Sequence, residues 1–192
     1  MGNPSNRNIS TPEDIHRIAM AFQQSRILLT AVELDLFRAI GNKSLTSESI
    51  ASKLDSGKRA TDRLLNALCA IGLVSKKKNL FSNTPAAAKF LIKGKKEYMA
   101  GLMHTSGLWK TWNTLTDAVK KGSKAAPDPI KKRSPEWFES FISAMHHRAS
   151  ANAHLVVSKL DLKKVSKMVD IGGGSGAYAM AFVHAKKAMT AT

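Results

Sequence analysis

Apolar residues near the start of the chain recur at helical spacing. In "STPEDIHRIAMAFQQSRILLTAVELDLFRAIG", Ile15, Ile18, Phe22, Leu29 and Leu36 form one stripe, the period of an amphipathic helix. Thr11 or Ser10 is placed to cap it, Pro12 suits its first turn, and Glu13 and Asp14 complement the helix dipole. Leu28, Val32 and Leu34 add a second apolar flank. A helix apolar on more than one side needs more than one packing partner, and in a small domain that partner is often a second subunit. Gly41 ends the run. Ahead of it, residues 1–10 are polar and are expected to form a disordered tail.

The next pattern is more compact. "LTSESIASKLD" (45–55) predicts a short helix with Ser47 as its cap. "SGKRATDRLLNALCAIGLV" (56–74) predicts a turn and a second helix, with Leu64, Leu65, Leu68 and Ile71 on its apolar face. "LVSKKKNLFSNT" (73–84) gives two strand-like pieces around a polar turn. Helix, turn, helix and basic hairpin outline a winged helix. Thr84 and Pro85 then open another helix over 84–92. Residues 97–122 predict a long helical stretch with Gly107 as a candidate break, followed by a breaker-rich linker over 123–134. A connecting helix is expected over 135–162, where Phe138, Phe141, Ile142 and Met145 fall at i, i+3, i+4 and i+7.

The period then changes twice within one stretch. "VSKMVDIGG" has strand character and "GAYAMAFVHAKK" is helical again, with a glycine-rich turn between them. A strand that stops in glycines and restarts as a helix suits a ligand at its turn. Glycine bends the backbone and lets a ligand approach where a Cβ would collide. The helix N-terminus adds N–H groups without intrahelical partners. Asp170 closes the strand, where its carboxylate can shape the loop or accept from the ligand. Two templates fit the same letters. "GGGSGA" from Gly172 to Ala177 satisfies the dinucleotide fingerprint G-x-G-x-x-G/A. "DIGGGSG" from Asp170 to Gly176 satisfies D-x-G-x-G-x-G, the first motif of methyltransferases that use S-adenosylmethionine (SAM). A P-loop is excluded, because no Lys-Ser/Thr pair follows.

Composition narrows the class. The 192 residues allow one good core, or one domain and part of another. A hydrophobic share of 43% and a charged share of 23% are ordinary for a folded soluble protein. No apolar run approaches a membrane span, and "MGNPSNRNIS" has no secretory apolar region. Asn6 stands where a myristoylation motif wants Ser or Thr. The single cysteine, Cys69, lies in an apolar run and reads as a buried small hydrophobe. The cytoplasm is the expected compartment. The formal net charge of +16 suggests a polyanion partner. However, the lysines sit in short clusters at expected turns and helix ends, where they serve solvation and the helix dipole. His146 and His147 are adjacent, so they point to different helix faces and make a poor metal pair. A surface role is expected for both, and no metal-ligand set is found.

In order and spacing, "AVELDLFRAI", "LTSESIASKL", "RLLNALCAIGLV", "FSNTPAAAKFLI", "WFESFISAM" and "VDIGGGSG" resemble the N-terminal part of a SAM-dependent O-methyltransferase. The type is that of the plant caffeate enzymes and the bacterial hydroxyneurosporene and polyketide methyltransferases. The resemblance implies a mainly α fold: a winged-helix-like dimerisation domain over 11–122, then the first βα unit of a Rossmann-like α/β methyltransferase domain over 163–192. It implies SAM as cofactor, bound by Asp170, Gly172, Gly173, Gly174 and Gly176, with Met145 packing beside it. A serine that often follows that methionine by four has no counterpart, since Ala149 stands there and Ser150 is one later. The acceptor would be a hydroxyl of a small aromatic or polyketide-like molecule, and the partner a second copy bound through the helical domain. Nucleic acid and membrane are not expected as partners. No catalytic residue is assigned: the ribose-binding acid and the general-base histidine of the family are expected beyond Thr192. The chain is therefore expected to be a C-terminally truncated, incomplete enzyme, inactive alone. The alternatives are a winged-helix DNA-binding regulator, with Lys58, Arg59 and Arg63 on its recognition helix, and a fragment of an NAD(P)-binding oxidoreductase.

Overall fold

The computed structural model describes residues 9–123 and 134–192. Residues 1–8 of the expected tail and 124–133 of the expected linker lie outside the described residues. The chain forms two compact units, the first ending at Ile92 and the second beginning at Lys93.

The first unit opens with α1 (Pro12–Glu33). The Thr11 hydroxyl accepts from the Asp14 N–H at 3.2 Å, and the Asp14 carboxylate accepts from the Thr11 N–H at 3.3 Å. This reciprocal pair satisfies two N–H donors that the helix itself cannot. The Ser10 amide, followed by the Thr11 hydroxyl, holds the Asp14 carboxyl below the usual carboxylate range. The helix does not run on to Gly41 as the apolar stripe predicts. Asp35 takes a φ of 55°, and a separate α2 (Leu36–Ile40) follows, ending at Gly41. Aspartate tolerates this left-handed backbone better than most residues. The break accompanies complete burial of Leu36, Phe37 and Ile40.

Next come β1 (Leu45–Thr46), α3 (Ser47–Lys53) and α4 (Lys58–Ala70). The cap of α3 is Thr46, whose hydroxyl accepts from the Ser49 N–H at 3.2 Å, and not Ser47. Then β2 (Val74–Lys77) and β3 (Leu80–Asn83) form a hairpin. The antiparallel sheet has the order β1-β3-β2, with Phe81 opposite both Leu45 and Lys76. As expected, Thr84 caps α5 (Pro85–Phe90) with Pro85 in its first turn. The core is Leu36, Phe37, Ile40, Ile50, Leu65, Leu68 and Phe81, all essentially inaccessible to solvent. Asn83 ties the sheet to α2 by donating to the Phe37 and Gly41 carbonyls at 2.8 and 2.9 Å. The Phe37 carbonyl also accepts from the Gly41 N–H at 3.0 Å, so Asn83 adds a second donor at the end of α2.

Burial of α1 is uneven. Leu29, Ala31 and Val32 are buried, whereas Ile15, Ile18 and Phe22 remain 63%, 60% and 52% exposed. One half of this helix therefore serves the core, and the other presents an apolar face.

The second unit begins with α6 (Gly101–Trp112) and α7 (Leu115–Lys121). The break in this stretch falls at Asn113–Thr114, and Gly107 lies inside α6. An isolated helical glycine lowers stability without forcing a break. Then α8 (Pro135–Ser158) is capped by the Ser134 hydroxyl, which accepts from the Trp137 N–H at 3.3 Å. α6 packs on α8, where Gly101 lies so near Ala144 that a Cβ there would stand 3.1 Å from it. The His104 ring meets Trp137 and Phe141 edge-on at 5.7 and 5.3 Å, and those two stack at 5.1 Å. The chain closes with β4 (Lys167–Met168), α9 (Ala177–Ala185) and β5 (Thr190–Ala191). β4 and β5 pair in parallel, with Lys167 opposite Thr190 and Met168 opposite Ala191. Parallel neighbours need a crossover, which α9 supplies. The strand predicted before the glycines is shorter than its apolar run, since only Lys167 and Met168 pair with β5.

Candidate functional site

The glycine turn joins β4 to α9. Its two ends are fixed by backbone bonds. The Asp170 N–H donates to the Thr192 carbonyl at 2.8 Å, and the Thr192 N–H donates to the Met168 carbonyl at 3.1 Å. At the far end, the Gly176 N–H donates to Gly173 and the Met180 N–H to Gly176, both at 2.8 Å. Between these anchors Gly172, Gly174 and Gly176 have φ of 73°, 56° and 69°. This left-handed backbone costs any other L-residue about 1–2 kcal/mol, so glycine at these three places answers a conformational demand.

Gly173 answers a different one. A Cβ built on it would lie 2.4 Å from Asp170 Oδ2 and 2.6 Å from Cγ. The carboxylate of Asp170 is folded back against the loop, and a hydrogen is the largest group that fits between them. Oδ2 is buried and has no hydrogen-bond partner among the described residues. A buried carboxylate oxygen without a donor costs free energy, a cost that a donor brought to the loop would offset. Gly176 is the N-cap of α9 and offers no side chain to that helix. The first N–H groups of the helix are therefore left to whatever the loop receives.

The other side of the site comes from α8, which packs on α9. Met145 is half-buried there. The next residue, His146, makes the contact that sequence alone did not find. Its Nδ1 lies 2.8 Å from the Ser175 hydroxyl inside the glycine loop, and its Nε2 lies 3.2 Å from the Ser150 hydroxyl one turn along α8. The expected pairing of His146 and His147 as surface residues is thus corrected for His146, which is half-buried and bonded, while His147 is exposed. The bond spans 29 residues, and no local spacing rule signals a contact at that separation.

Two of the basic side chains of the first unit are engaged in local contacts. Lys58 pairs with Glu48 at 2.8 Å, and Lys76 donates to Asn66 at 2.8 Å while lying 4.8 Å over the Phe81 ring. Among the described residues, no group of three His, Cys, Asp or Glu comes together to hold a metal ion. Nor is any helix among them long and apolar enough to cross a membrane.

The chain is similar to known proteins over most of its length. Tetracenomycin polyketide synthesis 8-O-methyl transferase TcmO of Streptomyces glaucescens is 31% identical over 176 residues, covering 88% of this chain and 52% of that protein. The 3-hydroxy-5-methyl-1-naphthoate 3-O-methyltransferase of Streptomyces sahachiroi is 29% identical over 166 residues, covering 83% and 48%. The solved structure of PigF with S-adenosylhomocysteine (SAH) superimposes with a TM-score of 0.85 at 25% identity, covering 94% of this chain and 57% of that one. The chain spans about half the length of the curated relatives it matches. Residues 16–93 match the O-methyltransferase dimerisation domain and residues 112–191 match the O-methyltransferase domain. With both segments present in order, the chain belongs to the O-methyltransferase family.

Proposed function

We propose that this chain is part of a SAM-dependent O-methyltransferase acting on a hydroxyl of an aromatic or polyketide-like small molecule. The observation that carries the proposal is the loop itself. Three left-handed glycines and a fourth pressed against Asp170 lead into a helix N-terminus that has no side-chain cap. It belongs to a family whose relatives are named as O-methyltransferases.

The residues fit such a cofactor. Asp170 Oδ2 is a buried acceptor without a protein donor, suited to an N–H, a hydroxyl or the positive end of a ligand. Gly172, Gly173, Gly174 and Gly176 leave room for its approach, and Met145 lies on the neighbouring helix as an adaptable apolar contact. SAM supplies an activated methyl group on a sulfonium centre. The protein contributes orientation, bringing the acceptor hydroxyl into line with that methyl and excluding water. Trp137, Phe141 and Met145 recur every four residues along α8, and the two rings are stacked. They offer an apolar wall of the kind that a flat acceptor would use.

In this proposal the helices and the β1-β3-β2 sheet form a winged-helix-like dimerisation domain, and the β4-α9-β5 crossover begins a Rossmann-like sheet. The partner is a second copy of the chain, met through the exposed half of α1. Support comes from the apolar Ile15, Ile18 and Phe22 face and from the match to a dimerisation domain. The cofactor class is tested by heat protection: SAH raises the unfolding temperature and NAD does not. Protection by NAD alone would assign the loop to a dinucleotide and overturn the proposal.

A further inference from the structure

The glycine loop has a neighbour that the family-based assignment of roles does not use. His146 lies midway along α8, and its ring meets a hydroxyl on each side: Ser175 at 2.8 Å through Nδ1 and Ser150 at 3.2 Å through Nε2. Ser175 is the residue between Gly174 and Gly176, both with positive φ. It is the residue within 172–176 that carries a side chain, and its hydroxyl is the handle by which α8 can hold that turn.

We propose that His146 is a positioning residue for the cofactor loop. Bonded to Ser175 and braced by Ser150, it fixes the backbone of residues 172–176 in the conformation that receives the ligand. The loop needs such a clamp. Glycine loses more conformational freedom on ordering than any other residue, and this turn holds four of them. Without an external bond, ordering the turn would fall to the ligand and weaken its binding, because a fraction of the population is not binding-competent. An imidazole suits the role, since its two nitrogens reach two hydroxyls at once and each hydroxyl can donate or accept. Ser150 keeps the ring from rotating away, so the brace lies on the same helix as the clamp. The identity of the ligand rests on the O-methyltransferase proposal above, but the clamp does not.

The test compares the full 192-residue chain with His146→Leu, His146→Asn, Ser175→Ala and the Leu/Ala double variant. Two readouts are taken: exchange of the Gly176 amide by NMR without ligand, and SAH affinity by calorimetry. Leucine keeps the bulk and removes both hydrogen bonds. Asparagine places an amide near the Nδ1 position and can still reach Ser175. The expected result is that His146→Leu speeds Gly176 exchange and weakens SAH binding, each by about tenfold, the order of one or two hydrogen bonds. His146→Asn should restore most of both, and Ser175→Ala should add nothing in the His146→Leu background. Wild-type exchange and affinity in His146→Leu would overturn the clamp, because packing alone would then suffice. So would full additivity in the double variant. If exchange responds as expected while no variant, nor the parent, binds SAH, the clamp stands and the cofactor assignment fails.

Discussion

Gly173→Ala is the substitution whose effect the structure fixes most closely. The φ of Gly173 is not among the left-handed ones, so alanine meets no left-handed backbone penalty there. The cost comes from space. The new methyl would lie 2.4 Å from Asp170 Oδ2, 2.6 Å from Cγ and 3.0 Å from Oδ1, well inside van der Waals contact. Either the carboxylate leaves its rotamer or the turn shifts. Overpacking of this kind costs about 1–3 kcal/mol, and each kcal/mol moves the unfolding temperature of a chain this size by about 2–4 °C. The assay is thermal unfolding of Gly173→Ala, Asp170→Ala and the double variant, with SAH binding measured beside it. Asp170→Ala alone should change stability little, or raise it, because the oxygen it removes is buried without a donor. In the double variant the clash is gone, so the Tm should return to that of Asp170→Ala while SAH binding stays lost. A Gly173→Ala protein with wild-type Tm, or a double variant in which the two effects simply add, would refute the packing of Asp170 against the loop.

Other sites give equally direct outcomes. Gly172→Ala meets no atom within 4 Å but has a φ of 73°, so it should cost about 1–2 kcal/mol by urea unfolding, with no rescue from Asp170→Ala. Phe22→Glu should weaken self-association at least about tenfold, since burying such a ring contributes about 1.5–3 kcal/mol. Sedimentation at several concentrations measures this, and an unchanged dimer would remove α1 from the interface. Phe81→Ala should destabilise the first unit by about 3–5 kcal/mol, read by urea unfolding. Cys69 is half-buried and not buried as its apolar run predicts, and this partial burial pushes its thiol above the usual pKa, with the nearby Lys76 charge opposing it only in part. At neutral pH the thiol stays protonated, so iodoacetamide should alkylate it more slowly than glutathione, with a rate that rises with pH. A rate above that of glutathione would contradict the burial.

Elements whose signal is local were legible in the sequence. Thr84 and Pro85 opened α5 as their cap chemistry requires, and the strand–glycine–helix order marked the β4-α9 turn with its loop residues. Departures came where longer-range demands decided. The apolar stripe runs unbroken through residues 29 to 36, yet Asp35 turns the chain so that Leu36, Phe37 and Ile40 enter the core. Thr46 and Ser47 are both competent caps, and which one is used depended on where β1 ends. The loop glycines look alike as letters. Only the backbone separates those needed for positive φ from Gly173, needed for space. His146 was invisible as a partner of the loop because its contact is made across packed helices, with no pattern near it in the chain.

The central claim is that the turn from Asp170 to Gly176 receives SAM. Amide and methyl NMR of the 192-residue chain, titrated with SAH and separately with NAD, tests it most directly. SAH should shift the amides of Asp170 to Gly176 and the methyl of Met145, and leave the core of the first unit, such as Leu65 and Leu68, unmoved. NAD should shift none of these. Shifts with NAD but not SAH, or SAH shifts confined to residues away from the loop, would contradict it.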